Sequence, residues 1–278
     1  GEARDDYAIF NDLARRLGVE AAHSEGRATP QEWLAHLYEE ARVKSAKVGV
    51  TLPPYAEFWV AGIAEAKGES RDPVMFAAFR ADPEANKLKT PSGKFEIFSE
   101  TIASFGYDDC PGHATWLEPI EWLGAKTAER YPLHMLSDQP ADKLHSQLDH
   151  SPHARATKIK GRQPITLHPD DATARGIAAG DLVRVFNDRG ACLAAARLSD
   201  RIRRGVVRLS TGAWFDPADA GSNQPLEKHG NPNALTLDIG ASKLSQGCIA
   251  QTCLVEIERH DGSAPAVTAH QLPAFASR

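Results

Sequence analysis

Residues 182–198 read Leu-Val-Arg-Val-Phe-Asn-Asp-Arg-Gly-Ala-Cys-Leu-Ala-Ala-Ala-Arg-Leu, two strand-like runs joined by a polar turn. The spacing predicts strands over 182–186 and 192–198, with Asn187-Asp188-Arg189-Gly190 closing a hairpin and Gly190 at a position that needs positive φ. Working outward, further strands are predicted over 133–136, 165–167, 206–209 and 254–257. Between two of them His168-Pro169-Asp170-Asp171 opens a short helix that ends at Gly176. Many short strands, tight glycine turns and one short helix predict a closed barrel, because closure removes exposed strand edges.

Before the barrel the pattern is helical. Asp6 is read as the cap of a helix running to Arg16, with Ile9, Leu13 and Leu17 on one face and Gly18 as its stop. Thr29 and Glu32 have capping-box spacing, and Trp33, Leu34, Leu37 and Tyr38 follow at helical intervals. Phe58, Trp59, Ile63 and Ala64 predict a third helix after the Pro53-Pro54 break. Beyond the turn Thr90-Pro91-Ser92-Gly93, the alternation Lys94-Phe95-Glu96-Ile97-Phe98 predicts a half-buried strand. The expected class is therefore α+β: a helix-rich segment with a small sheet over 1–125, and the barrel over 126–278.

Composition narrows the function. The net charge of −5 supplies no basic field for nucleic acid, and no apolar run approaches the length of a transmembrane segment. Cys110, Cys192, Cys248 and Cys253 read as free thiols in a chain with a sizeable core. Cys248 and Cys253 have no second pair beside them, and His145, His150 and His153 lack partner ligands, so no metal site is assigned. There is no phosphate-binding loop with lysine and no G-x-S-x-G elbow, and Asp138 and Asp142 read as turn caps. No catalytic residue is named. The opening Gly-Glu-Ala-Arg-Asp-Asp, without an initiator methionine, reads as a fragment or a processed chain, so no compartment follows from it.

Three polar segments stand out. Residues 137–147, Ser-Asp-Gln-Pro-Ala-Asp-Lys-Leu-His-Ser-Gln, follow directly on a predicted strand. His229-Gly230-Asn231-Pro232-Asn233 is the second, and Ser242-Lys243-Leu244-Ser245-Gln246-Gly247, with Gln251 after it, is the third. Each alone reads equally as a solvated loop of local turns. Together on one barrel they point to a nucleotide-like ligand, since amides suit a purine edge and serine with backbone N–H groups suits phosphate. Trp214-Phe215-Asp216-Pro217 reads either as a pocket wall or as a core plug.

The residues that carry a family resemblance are Ser137-Asp138-Gln139-Pro140, Leu144-His145-Ser146-Gln147-Leu148, Gly180-Asp181, Phe186-Asn187-Asp188-Arg189-Gly190 and Gly212-Ala213-Trp214-Phe215-Asp216-Pro217. With these the chain resembles the C-terminal part of the dimethyl sulfoxide reductase family of molybdopterin oxidoreductases, on the side of the biotin sulfoxide and trimethylamine N-oxide reductases. The resemblance implies a six-stranded double-psi β-barrel that closes over a bis(molybdopterin guanine dinucleotide) molybdenum cofactor. It also implies oxygen-atom transfer from a small S-oxide or N-oxide: biotin sulfoxide, methionine sulfoxide, dimethyl sulfoxide or trimethylamine N-oxide. Carried over by position, Ser137, Asp138, Gln139, Pro140, Lys143, His145, Ser146, Gln147, Asn233 and Gln251 would contact one dinucleotide, and Asp6 would contact guanine. Lys143 stands where relatives often carry arginine, and lysine offers a point charge in place of a bidentate fork.

In that family a serine in the N-terminal part binds the metal, and no segment here matches that region. The expectation is that this chain works with the remaining N-terminal part of the enzyme, and that alone it neither holds the cofactor nor turns over. The competing readings are a non-catalytic double-psi barrel that binds or interacts, since fold alone does not fix function, and a molybdenum enzyme of the nitrate or formate type.

Overall fold

The computed structural model describes residues 3–66 and 72–272. The chain forms two compact units, Gly1–Lys89 and Thr90–Arg278. That division falls earlier than the sequence-based one near residue 125, which separates the barrel strands from the segment before them.

The first unit contains α1 (Asp6–Arg16), α2 (Glu20–Ser24), α3 (Pro30–Ala46), α4 (Tyr55–Ala61) and α5 (Ala77–Ala81). The cap of α1 is Asp5 and not Asp6: Asp5 has extended backbone and its carboxylate accepts from the Ala8 N–H, whereas Asp6 is already helical. The Thr29–Glu32 capping box forms as its spacing predicts. Helix α4 stops at Ala61 because Gly62 takes a left-handed cap, with φ +73°, so Ile63 and Ala64 lie beyond it. Within the unit Tyr7 accepts from Trp33 Nε1 at 3.1 Å and donates to the Arg27 carbonyl at 2.7 Å, and Tyr38 stacks on Phe58. Among its described residues only Ala14 is buried, and Phe10, Leu37 and Val60 are exposed.

The second unit begins with irregular chain and α6 (Glu100–Ser104). Residues 94–98, predicted as a strand, are not one, and no strand occurs among the described residues before Leu133. A strand needs a partner strand for its backbone N–H and C=O groups, and among the described residues no strand pairs with this stretch.

The barrel strands are β1 (Leu133–Leu136), β2 (Pro164–Leu167), β3 (Leu182–Asn187), β4 (Gly190–Leu198), β5 (Val206–Leu209), β6 (Leu226–Glu227) and β7 (Thr252–Arg259). Helices α7 (Pro152–Ala156) and α8 (Pro169–Thr173) interrupt them, the second capped by His168 as its sequence predicts. Strand order is β2-β5-β1-β7-β3-β4, and a β2–β4 pairing closes the ring; β6 adds to the outside of β4. The ring holds two parallel pairs, β1 with β5 and β2 with β4, separated by the antiparallel β2–β5 pair. Strand β5 thus inserts between β1 and β2, so the β1–β2 connection must cross over it. This is the six-stranded double-psi β-barrel of an α+β fold.

Alternate residues of the strands fill the interior: Leu133, Met135, Ile165, Leu167, Val183, Val185, Val207, Leu209, Val255 and Ile257, with Leu235 packed among them. Cys192 and Cys253 are buried in the same core, and all four cysteines are free thiols. The 187–190 hairpin forms as predicted, but Gly190 is not at positive φ. Glycine is needed there for space, since a Cβ would lie 2.7 Å from the Ala234 carbonyl oxygen.

Candidate functional site

Parallel strands finish at the same end of a sheet, so β1 and β5 deliver residues 137–147 and 210–217 side by side. Strand β7 runs antiparallel to β1 and starts at that end, which brings Gln251 to it. The joins are direct: the Ser137 N–H donates to the Gln251 carbonyl at 2.8 Å, the Thr211 N–H to the Asp138 carbonyl at 2.9 Å, and Ser210 Oγ to Asp138 Oδ1 at 2.7 Å.

Gln139 folds back on its own loop. Its side-chain oxygen accepts from the His145 N–H at 3.2 Å and its amide nitrogen meets His145 Nδ1 at 2.6 Å, which holds His145 in a left-handed conformation with φ +50°. Gly212, at φ +95°, passes so close that a Cβ there would meet the His145 carbonyl at 1.8 Å. Only a residue without a side chain lets these two loops touch.

Two recesses open beside this contact. One, of about 470 Å³, lies among Asp138, Gln139, Pro140, Arg197, Arg208 and Ser210. The other, of about 370 Å³, is walled by His145, Ser146, Gly212, Trp214, Phe215 and Asn233. Trp214 is therefore a wall and not a core plug, with Nε1 donating to the Ser146 carbonyl at 2.7 Å. Asn233 also lines a third recess, with Gln246 and Cys248. The N–H of Gln147 closes a tight turn on the Leu144 carbonyl. Asp6 belongs to the N-terminal unit, in the first turn of α1.

Beneath the loops lies a charge network that sequence reasoning missed. Lys143 is buried, its Nζ 3.1 Å from Asp142 and 3.3 Å from Asp149. Lys158, nearly as buried, reaches Asp149 at 2.9 Å, and His270 Nε2 meets the other Asp149 oxygen at 2.9 Å. Burial pushes the Asp149 carboxyl up, but hydrogen bonds from Lys158 and His270 and the Lys158 charge outweigh it and hold Asp149 at about 2. His229, fully buried, sits with Nδ1 2.9 Å from the Trp214 carbonyl; burial, and then the Lys158 charge, push it down to about 4. Asp149, His229 and His270 offer ligand atoms within 4.8 Å of one another. Two lysine ammoniums already share Asp149, so a divalent cation there would bring further positive charge into a buried, balanced network. The histidines weighed in the sequence as metal ligands, His145, His150 and His153, are not among these three. His229 opens a polar segment already singled out, but no local pattern joins it to Asp149 and His270, which come from segments far apart along the chain.

Comparison with known proteins bears on this site. Residues 133–254 match the family model described as molydopterin dinucleotide binding domain. The chain is 49% identical over 265 residues to biotin sulfoxide reductase of Cereibacter sphaeroides, covering 95% of this chain and 35% of that protein. It is 42% identical to dimethyl sulfoxide/trimethylamine N-oxide reductase of Rhodobacter capsulatus, covering 98% of this chain and 33% of that protein. Among solved structures, acetylene hydratase from Pelobacter acetylenicus superposes with a TM-score of 0.66 over 94% of this chain and 33% of its own, at 20% identity, a likeness of fold alone. The chain thus spans about a third of the length of the curated relatives it matches.

Proposed function

We propose, for a chain whose residues 133–254 match the molydopterin dinucleotide binding domain, that it is the C-terminal cofactor-binding portion of a molybdenum-dependent S-oxide or N-oxide reductase. The observation that carries this reading is the convergence of 137–147, Gly212 to Phe215 and Asn233 on adjoining recesses at one barrel end. The names of the relatives, reductases of biotin sulfoxide and of dimethyl sulfoxide or trimethylamine N-oxide, favour oxides as substrates over nitrate or formate.

The residues present fit a dinucleotide. Asn233, Gln147 and Gln251 carry amides that both donate and accept, as a purine edge requires, and Ser137 and Ser146 carry hydroxyls suited to phosphate. At Gly212 the His145 carbonyl takes the place a side chain would fill, so the two loops that line the recess stand in contact. On this reading Ser137, Asp138, Gln139, Pro140, His145, Ser146, Gln147, Asn233 and Gln251 hold one molybdopterin guanine dinucleotide, and Asp6 reaches a guanine. Lys143 acts from below, since its ammonium is committed to Asp142 and Asp149 and so fixes the loop that bears His145. Trp214 and Phe215 give the recess an apolar side.

When bound, the molybdenum cofactor supplies the oxygen-atom transfer chemistry. The chain's own groups bind and orient it and set the polarity around it. The rest of the enzyme, absent from this third of its length, would complete the cradle and the substrate funnel. Molybdenum analysis and reductase assay of residues 1–278 alone test the division of labour: the expected result is no bound metal and no turnover, and stoichiometric molybdenum with turnover would overturn it. In the full-length enzyme His145→Ala and Asn233→Ala are expected to lower the nucleotide recovered per mole of protein.

A further inference from the structure

Glu227 is fully buried, pairs across β4–β6 with Cys192, and makes no ion pair among the described residues. Its two oxygens instead take four backbone N–H groups. Oε1 accepts from Asp216 at 3.2 Å and His229 at 3.0 Å; Oε2 accepts from Gly230 at 2.7 Å and Asn231 at 2.7 Å. Asp216 follows directly on the Trp214-Phe215 wall, and 229–231 leads into Asn233, so one carboxylate ties together two sides of the same recess.

The loop it holds has little other freedom. Gly230 stands at φ +92°, and a Cβ on it would lie 2.7 Å from that of Gln163. The Gln163 N–H donates to the His229 carbonyl at 2.9 Å, and Asn231 Oδ1 accepts from the Asn233 N–H at 2.9 Å. The chain of constraint therefore runs from Glu227 to Asn231 and from Asn231 to the backbone of Asn233, whose side chain is exposed at the rim.

We infer that Glu227 is a positioning residue for the dinucleotide: by accepting four N–H groups from two segments it sets where Asn231 and Asn233 stand on the rim. The inference rests on the reading of that rim as the dinucleotide site. The residue type follows from acceptor count. An ionised carboxylate offers about four lone-pair sites and no donor, whereas glutamine replaces one oxygen with an NH₂ that would oppose two of the four N–H groups. Burial pushes the Glu227 carboxyl up to about 6 against the pull of those N–H groups. A group with only a packing role would be apolar here.

The test uses the full-length enzyme carrying Glu227→Gln. Two quantities are read: nucleotide released on denaturation per mole of protein, and amide hydrogen exchange over 227–233. Expected are a fall in nucleotide of about fivefold or more and exchange at His229, Gly230 and Asn231 faster by about tenfold or more, the scale of losing one to two charged hydrogen bonds. Val185→Ala, a core truncation on β3, serves as a control for stability loss alone and should keep its nucleotide within about twofold. Nucleotide retained in Glu227→Gln despite faster exchange would leave Glu227 a purely structural residue and overturn the proposal. Retention in Asn233→Ala and His145→Ala as well would instead bring down the reading of the rim. If Glu227→Gln does not accumulate as folded protein, the wild-type enzyme decides: exchange of those three amides at unprotected-peptide rates overturns the clamp, and strong protection supports it.

Discussion

At the scale of single residues, the site stands on buried charge. Removing one partner from a buried ion network strands the others, at a cost of roughly 3–5 kcal/mol. Asp149→Asn leaves Lys143 and Lys158 facing a neutral amide, so denaturant unfolding should show a loss of that size, where an exposed aspartate would show almost none. Acidity acts in two opposed directions. His229, pushed from 6.5 to about 4, stays neutral in the folded chain while the unfolded chain takes up a proton, so stability falls as pH drops through that window. Glu227, raised from 4.5 to about 6, is protonated first in the folded chain, so stability rises as pH drops from 6 to 4.5. The two slopes nearly cancel there, each being about 1.4 kcal/mol per pH unit. In His229→Gln, whose amide retains a donor for the Trp214 carbonyl, the cancellation disappears. Relative to wild type, its stability should climb as pH falls from 6.5 to 4, and a parallel pair of pH profiles would refute the assignment.

At the scale of elements, most signals that act within a few residues were read correctly, the cap of α1 at Asp5 in place of Asp6 being an exception. The Thr29–Glu32 box forms because both partners lie in one turn, and all six predicted strands of the barrel occur with ends shifted by a few residues at most. Thr29→Ala should cost α3 about 1 kcal/mol, visible as faster exchange in its first turn. Signals that depend on a distant partner were misread. Residues 94–98 alternate like a strand, yet among the described residues no strand pairs with them. Gly190 sits in a turn sequence, yet what demands glycine is the Ala234 carbonyl, which no local rule could reveal. The two-residue strand β6 and its buried Glu227 gave no signal, because their meaning lies in the N–H groups that loops bring to them.

At the scale of the whole molecule, the two units differ in how well they bury their own apolar side chains. The barrel encloses a core from six strands, whereas the helices of Gly1–Lys89 leave Phe10, Leu37, Trp59 and Val60 exposed and bury only Ala14 among the described residues. Isolated residues 1–278 should therefore show slow amide exchange in the barrel and fast exchange in α1 to α4, and uniform protection would contradict this. The class of fold, the six barrel strands and the polar segment 137–147 were legible along the chain, because hydrophobic period and turn chemistry act between near neighbours. Its resemblance to the oxide reductases also named the rim residues. Which groups stand beneath that rim follows from folding in three dimensions. The β1–β5 parallel pairing places Asp138 against Ser210 and Thr211, and burial assigns Asp149 its two lysines and Glu227 its four N–H groups. Asp138 lies 72 residues from Ser210, and even partners as near in sequence as Lys143 and Asp149, or Glu227 and His229, meet only where the fold buries them, since a charged side chain's role inside a protein is fixed by what surrounds it in space.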